Sequence, residues 1–309
     1  MPLFLRALLL LCLGCLAAGK LCAADFQVVI VSSERSPAYQ EAADALLGEL
    51  ERQGVPRKTT LQITPSELGT GGELTARLFV TLGADAAMAV VKADPRAPIL
   101  CTLLPQESFE RVRRDSGRRS NSVLSAVYIN QPLNRQMDLV RLALPDAGRV
   151  GLILGDGSQG QIPAVESAAQ SRGFKLVIAV VAPGEPVFKG LKKILEEADL
   201  LLAWPDQQIY NSNSIQNVLL ASFRARVPLI GFSSAYVRAG ALVAVYSTPA
   251  QIGIQAGATA RGVLQGKTMP PPQYPVEFTV SVNEHVARSL GLTLDASALG
   301  ERLRAMEQR

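Results

Sequence analysis

The chain has 309 residues, 48% of them hydrophobic and 19% charged, enough for a sizeable core and incompatible with a disordered or low-complexity protein. At about 150 residues per domain, the length points to two domains or lobes. It carries 31 Lys and Arg against 27 Asp and Glu and a single histidine, which argues against a histidine-based metal centre or a multi-histidine active site and leans away from an enzyme.

Residues 1–24 read as an export signal. Arg6 precedes an apolar and small-residue run at 7–18, shorter than the about 20 residues that a membrane-spanning helix needs. Small residues at Cys22 and Ala24 set the cut before Asp25. A lipid anchor at Cys15 is the weaker alternative, because Cys12 stands where an aliphatic residue is usual. Cleavage removes Cys12, Cys15 and Cys22, leaving Cys101 and no internal disulfide. The expected product is soluble and periplasmic.

The mature chain alternates strand-like and helical patterns. A strand is expected at 26–31, a helix at 38–52 behind Ser36-Pro37, and a strand at 58–64. Gly69 to Gly72 form a turn before a helix ending near 82–83; strands follow at 86–91 and 99–103. An Arg-rich connection then leads to a strand at 122–129. The second half reads helix 135–144, strand 150–154, helix 163–172, strand 175–181, helix 188–197 and strand 200–204. Helix 214–226, strands 229–232 and 242–246, helix 249–265, strand 276–282 and helix 284–290 complete it. Strands spaced by helices of this length predict an α/β fold with parallel sheets covered by helices on both faces, split into two sheets of about five strands. The boundary near 130 reads as a crossover.

Gly155-Asp156-Gly157-Ser158-Gln159-Gly160 matches the dinucleotide spacing G-x-G-x-x-G between a strand and a helix. However, Asp156 would set a negative charge beside a pyrophosphate, and Glu185 lies beyond the strand end where a ribose-binding acid belongs. A tight turn lining a small-ligand cleft is the preferred reading. The segment 262–268, G-x-x-x-G-K-T, is one residue short of a phosphate loop and ends a helix. Gly231-Phe232-Ser233-Ser234-Ala235 imitates a nucleophile elbow without its second glycine, and its only base would be His285, read as a solvated or capping residue. Arg111, Arg113, Arg114, Arg118 and Arg119 lack the interleaved aromatics of a nucleic-acid surface and read as a solvated loop. Asn211 to Ser214 read as a helix-capping segment.

Polar and aromatic residues gather where the expected parallel strands end, and ligands of such sheets bind beyond those carboxyl ends. The candidates are Ser33, Arg35, Thr102, Tyr128, Asp156, Ser158, Trp204, Asp206, Ser233 and Tyr246, with Ser32, Glu34, Asn130, Gln207, Ser234 and Ser247 nearby. Trp204, the only tryptophan, suits stacking on a planar ligand. Arg35 and Ser158 suit an anionic group, and Asp206 a donor.

The runs Ala203-Trp204-Pro205-Asp206, Ala225-Arg226-Val227-Pro228-Leu229-Ile230-Gly231-Phe232, Ala239-Gly240-Ala241-Leu242, Tyr246-Ser247 and Gln251-Ile252-Gly253, with the tail at Tyr274-Pro275-Val276-Glu277, resemble periplasmic binding proteins of type I. More narrowly, they resemble the ABC-transporter substrate-binding family that includes tryptophan- and tyrosine-type binders. The resemblance implies two Rossmann-like lobes joined by three hinge crossovers: 25–129 with 247–270, and 130–246 with 271–309. It also implies a monomer without a cofactor that captures a small molecule and delivers it to an inner-membrane ABC permease. A sensor signalling to a membrane receptor or kinase, and an exported hydrolase using Ser233 and His285, are the alternatives. Gly155 to Gln161 stands where that family usually carries a Tyr-Asn/Thr stretch, an acid and Asn-Ser that serve the ligand, so amino-acid recognition is not implied.

Overall fold

The structure, a computed structural model, describes residues 26–52, 54–68, 75–115 and 123–307. The export-signal reading of 1–24, the turn at Gly69 to Gly72, and Arg118 and Arg119 lie outside the described residues. Among those described, eleven strands form two sheets.

The first sheet holds β1 (Phe26–Ser32), β2 (Thr60–Ile63), β3 (Ala76–Leu82), β4 (Ile99–Leu104) and β5 (Leu124–Tyr128), all parallel, in the order β2-β1-β3-β4-β5. Helices α1 (Pro37–Arg52), α2 (Ala84–Ala93) and α3 (Gln106–Asp115) connect them. Three expectations are corrected here. Residues 76–82 form the central strand instead of a helix, and 84–93 form a helix instead of a strand. The Arg-rich stretch begins as α3. Burial explains all three: β3 lies between β1 and β4 and is covered on both faces, so it reads as a continuous apolar run. In α2 the buried Ala86, Ala87, Val90 and Val91 recur at helical spacing, and Phe109 and Val112 anchor α3 while its arginines face outward.

The second sheet holds β6 (Arg149–Gly155), β7 (Lys175–Val181), β8 (Leu200–Leu202), β9 (Leu229–Gly231), β10 (Val243–Tyr246) and β11 (Thr279–Val282) in the order β11-β10-β9-β8-β6-β7. Its pairs are parallel except β10 with β11, so the expected parallel sheet carries one antiparallel edge strand. Helices α4 (Leu133–Ala143), α5 (Ile162–Gln170), α6 (Val187–Glu197), α7 (Ile215–Ala225), α8 (Ser234–Ala239), α9 (Pro249–Leu264), α10 (Glu284–Ser289) and α11 (Ala296–Glu307) follow in chain order. Of these, α8 and α11 were not expected from the sequence.

The chain passes between the sheets three times. It leaves the first after β5 to enter α4, and leaves the second after β10 to enter α9, which lies against α1. It then returns through 265–278 to β11. The α1–α9 contact is so close that a Cβ on Gly253 would come within 2.3 Å of the Ala42 carbonyl oxygen; only glycine fits. Thr248 opens α9 with a reciprocal cap, its hydroxyl accepting from the Gln251 N–H while the Gln251 side chain accepts from the Thr248 N–H. Gln273 covers the free edge of β5: the Tyr128 N–H donates to its carbonyl (2.9 Å) and its own N–H donates to Ala126 (2.8 Å). No helix among the described residues is long and apolar enough to cross a membrane.

Candidate functional site

The carboxyl ends of β4 and β5 in the first sheet and of β8, β9 and β10 in the second converge on a cavity of about 280 Å³. The first side contributes Leu103, Pro105, Ile129 and Asn130 and, across the first crossover, Gln131 and Gln136. The second contributes Trp204, Pro205, Phe232, Ser233 and Val245. Local backbone geometry aims several of these. Leu103 has a left-handed φ of 53° at a register break between Thr102 and Leu104, a bulge that re-aims a strand-end side chain. A non-glycine residue there is strained, and such strain concentrates at functional sites. Phe232 is set by the ring cluster behind it, 4.3 Å from Tyr236 and edge-on to the buried Tyr210 at 6.4 Å. Burial raises the Tyr210 hydroxyl far above its usual range, so that cluster stays neutral.

Of the sequence candidates, the cavity brings together Trp204, which is 5% exposed, and Ser233. The others stand elsewhere. The Ser33 hydroxyl accepts from the Ala86 N–H (2.9 Å) and so caps the start of α2. Arg35 pairs with Glu67 at 3.2 Å beside a smaller hollow of about 260 Å³ at the ends of β1 and β2. Thr102 is fully buried in β4, its hydroxyl without a partner. Tyr128 is buried edge-on between Phe109 (5.8 Å) and Tyr274 (5.4 Å); burial, reinforced by Glu110, pushes its hydroxyl up to about 12. Asp156 accepts from the Gln159 amide on the turn after β6, which also carries Ser158. The Tyr246 hydroxyl meets Ser281 Oγ at 2.9 Å across the β10–β11 pair.

Asp206 ties the second sheet together. Its Oδ2 accepts from the Gly155 N–H (2.8 Å) and its Oδ1 from the Gln208 N–H (2.9 Å), while the Gln208 amide donates to Val181 (2.8 Å). A Cβ on Gly155 would lie 2.4 Å from Gln208 Oε1, so this glycine makes room for side chains. The N–H that a dinucleotide loop would aim at phosphate is thereby occupied by a carboxylate. At the other motif sites, 262–268 forms the end of α9, where Lys267 N–H donates to the Gly262 carbonyl at 2.9 Å. Ser214 directs its hydroxyl to the Ile209 carbonyl without capping α7. Ser233 follows the carboxyl end of β9, whereas the antiparallel pairing of β11 carries His285 to the opposite end of the strands, where it contacts Arg288 at 3.1 Å.

Beneath the cavity the three crossovers are knotted by one buried network. Arg135, 5% exposed on α4, donates to Gln131 Oε1 (2.8 Å) and the Pro275 carbonyl (2.9 Å), pairs bidentately with Glu307 of α11 and lies 4.3 Å over the Phe278 ring. Gln131 donates to Ser247 Oγ (2.9 Å), which donates to the Glu277 carbonyl (2.6 Å). Residues from 131, 247 and 275–277 are therefore linked side chain to backbone. Leu103, Gln131, Gln136, Phe232 and Val245 escaped a search for polar strand ends because they are apolar or begin a helix. A search for amides flanking a crossover would have found Gln131 and Gln136. Among the described residues, no group of three or more His, Cys, Asp or Glu side chains forms a metal site.

A family profile described as "ABC transporter substrate binding protein" matches residues 73–303, well over half of the chain. The tyrosine-binding protein of Clostridioides difficile (strain R20291) is 22% identical over 226 residues, covering 70% of this chain and 63% of that protein. The chain thus spans less than two thirds of that relative. Among solved structures, the ligand-free, open form of a substrate binding protein with adhesive properties from Clostridium difficile superposes with a TM-score of 0.70, at 18% identity over 87% of this chain and 96% of the other. An ABC domain in complex with L-Trp from Streptococcus pneumonia gives a TM-score of 0.63 at 16% identity, over 89% and 97%. These likenesses show a periplasmic binding protein type I fold, and the profile match shows that the chain belongs to the ABC transporter substrate binding protein family.

Proposed function

We propose that the protein captures a small molecule between two lobes, 25–129 with 247–270 and 130–246 with 271–309, and delivers it to an ABC permease from outside the inner membrane. The observation that supports this most is the cavity lined from both sheets, because a ligand seated there touches both lobes at once. Such a ligand favours the closed arrangement by its extra contacts, and this differential affinity is the whole of the function. A related chain named for binding tyrosine and a neighbour holding L-Trp support small-molecule capture. The separation of Ser233 from His285 speaks against the hydrolase reading.

The test is thermal unfolding of the protein against amino acids, aromatic acids, sugars, phosphonates and nucleobases. A ligand at about 100 times its dissociation constant adds about 2.7 kcal/mol of stability. One class raising the midpoint, with the rise lost in Trp204→Ala, supports capture in this cavity. A panel without any rise contradicts it.

A further inference from the structure

We propose that the interlobe cavity takes an uncharged planar heterocycle of nucleobase size; this rests on the capture reading above and names its ligand class. No ionisable side chain lines the cavity among the described residues. Charged groups at neighbouring strand ends and in the crossovers are already used: Asp206 by two backbone N–H groups, Arg135 by Glu307 and crossover carbonyls, Arg35 by Glu67. A zwitterion or an anion entering here loses water and finds no counter-charge, a penalty that neutral contacts do not return. The walls are flat and apolar, with Trp204, Phe232, Pro105 and Pro205 facing a volume of about 280 Å³, at the small end of ligand pockets.

The polar groups set a hydrogen-bond pattern. Asn130 Oδ1 accepts from the Gln106 N–H at 2.7 Å; a backbone N–H can only donate, so the amide is fixed and Nδ2 is what Asn130 offers a ligand. Gln136 Nε2 donates to the Gln131 carbonyl at 3.0 Å, which fixes Oε1 as its free acceptor. The Trp204 indole N–H and the Ser233 hydroxyl have no hydrogen-bond partner among the described residues. Two donors, one acceptor and one hydroxyl of either sense match the edge of a ring that carries carbonyl or ring-nitrogen acceptors beside an N–H. A plain hydrocarbon ring would offer none of these four a partner.

The experiment measures the unfolding midpoint and binding isotherms with adenine and uracil against L-tryptophan, L-tyrosine, glucose and inorganic phosphate. The expected result is a saturable rise with adenine or uracil and none with the charged probes or the sugar. The affinity should be unchanged between about 0.1 and 1 M salt, since no charge pair is screened. Asn130→Asp keeps the bond from Gln106 but replaces the donor with a carboxylate; binding should weaken at least about tenfold while the unliganded midpoint holds. Ser233→Ala should weaken it several-fold, again with the midpoint unchanged. A rise with an amino acid, glucose or phosphate and none with the nucleobases overturns the ligand class and leaves capture standing. Silence from every probe, here and in the wider panel, overturns both.

Discussion

The floor of the cleft and its walls use opposite chemistry a few residues apart. Gln131 belongs to both: its side chain is locked between Arg135 and Ser247 in the crossover network, and it also borders the cavity. Below it, a buried guanidinium, a carboxylate and backbone carbonyls hold three chain passages together; above it, the walls are aromatic, aliphatic and neutral. The contrast shows where charge is affordable in this fold. A buried ion is tolerated where fixed partners surround it, as around Arg135, and a cavity that must empty and refill is left without one.

The largest effect that would break this contrast is at the floor. Arg135→Met leaves Gln131 and the Pro275 carbonyl, both at the buried crossovers, and the partly exposed Glu307 without their partner, and the loss of charge-assisted hydrogen bonds of this kind costs about 1.5–3 kcal/mol. A denaturant midpoint barely changed would mean that the network is ornamental. Next comes the second sheet: Gly155→Ala drives a methyl into Gln208 and Asp206 and should cost about 1–3 kcal/mol. Gly157→Ala, with nothing within 4 Å of its Cβ, should stay within about 0.5 kcal/mol. Equal costs would refute the claim that the first glycine alone is required by packing.

A smaller effect separates charge used for structure from charge available to a ligand. Desolvation would raise the Asp199 carboxyl, but Arg149 and the N–H groups of Gly148 and Arg149 outweigh it and hold the group below the usual carboxylate range. A lowered folded value stabilises above the unfolded one and is lost as pH falls through the folded one. The stability gap between wild type and Asp199→Asn should therefore be full at neutral pH and close in strong acid; a gap that widens on acidification would contradict the assignment. Smallest of all, Ser233→Ala should leave stability within about 0.5 kcal/mol, because its hydroxyl supports nothing in the fold.

Much of the architecture was legible because buried parallel strands advertise themselves. The runs Val28 to Val31 in β1 and Val150 to Leu154 in β6 are buried and unbroken by a polar side chain, and Pro249 and Gly266 bracket α9. The exchange of strand and helix between 76–82 and 84–93 has a physical cause: both are short apolar runs, and only the neighbours β1 and β4 decide which one is central. Among the residues lining the cavity, the rule that ligands meet strand carboxyl ends singles out Trp204 and Ser233. It was blind to Phe232 and Leu103, which are apolar, and no residue type announces the bulge that turns Leu103 inward. Asp206 does stand at a strand end, but as a structural carboxylate and not in the cavity lining. That its oxygens are used by Gly155 and Gln208 is a tertiary fact that no local pattern records.

Trp204 is the only tryptophan in the chain and forms part of the cavity wall, so the chain's tryptophan emission comes from a residue bordering this cavity. The most direct measurement is that emission, followed while the ligand that raises the unfolding midpoint is titrated in. A saturable spectral change with the dissociation constant of the thermal shift, absent in Trp204→Phe, is the result expected for capture between the lobes. A ligand that raises the midpoint while leaving the emission unchanged would place the binding site elsewhere and contradict the account.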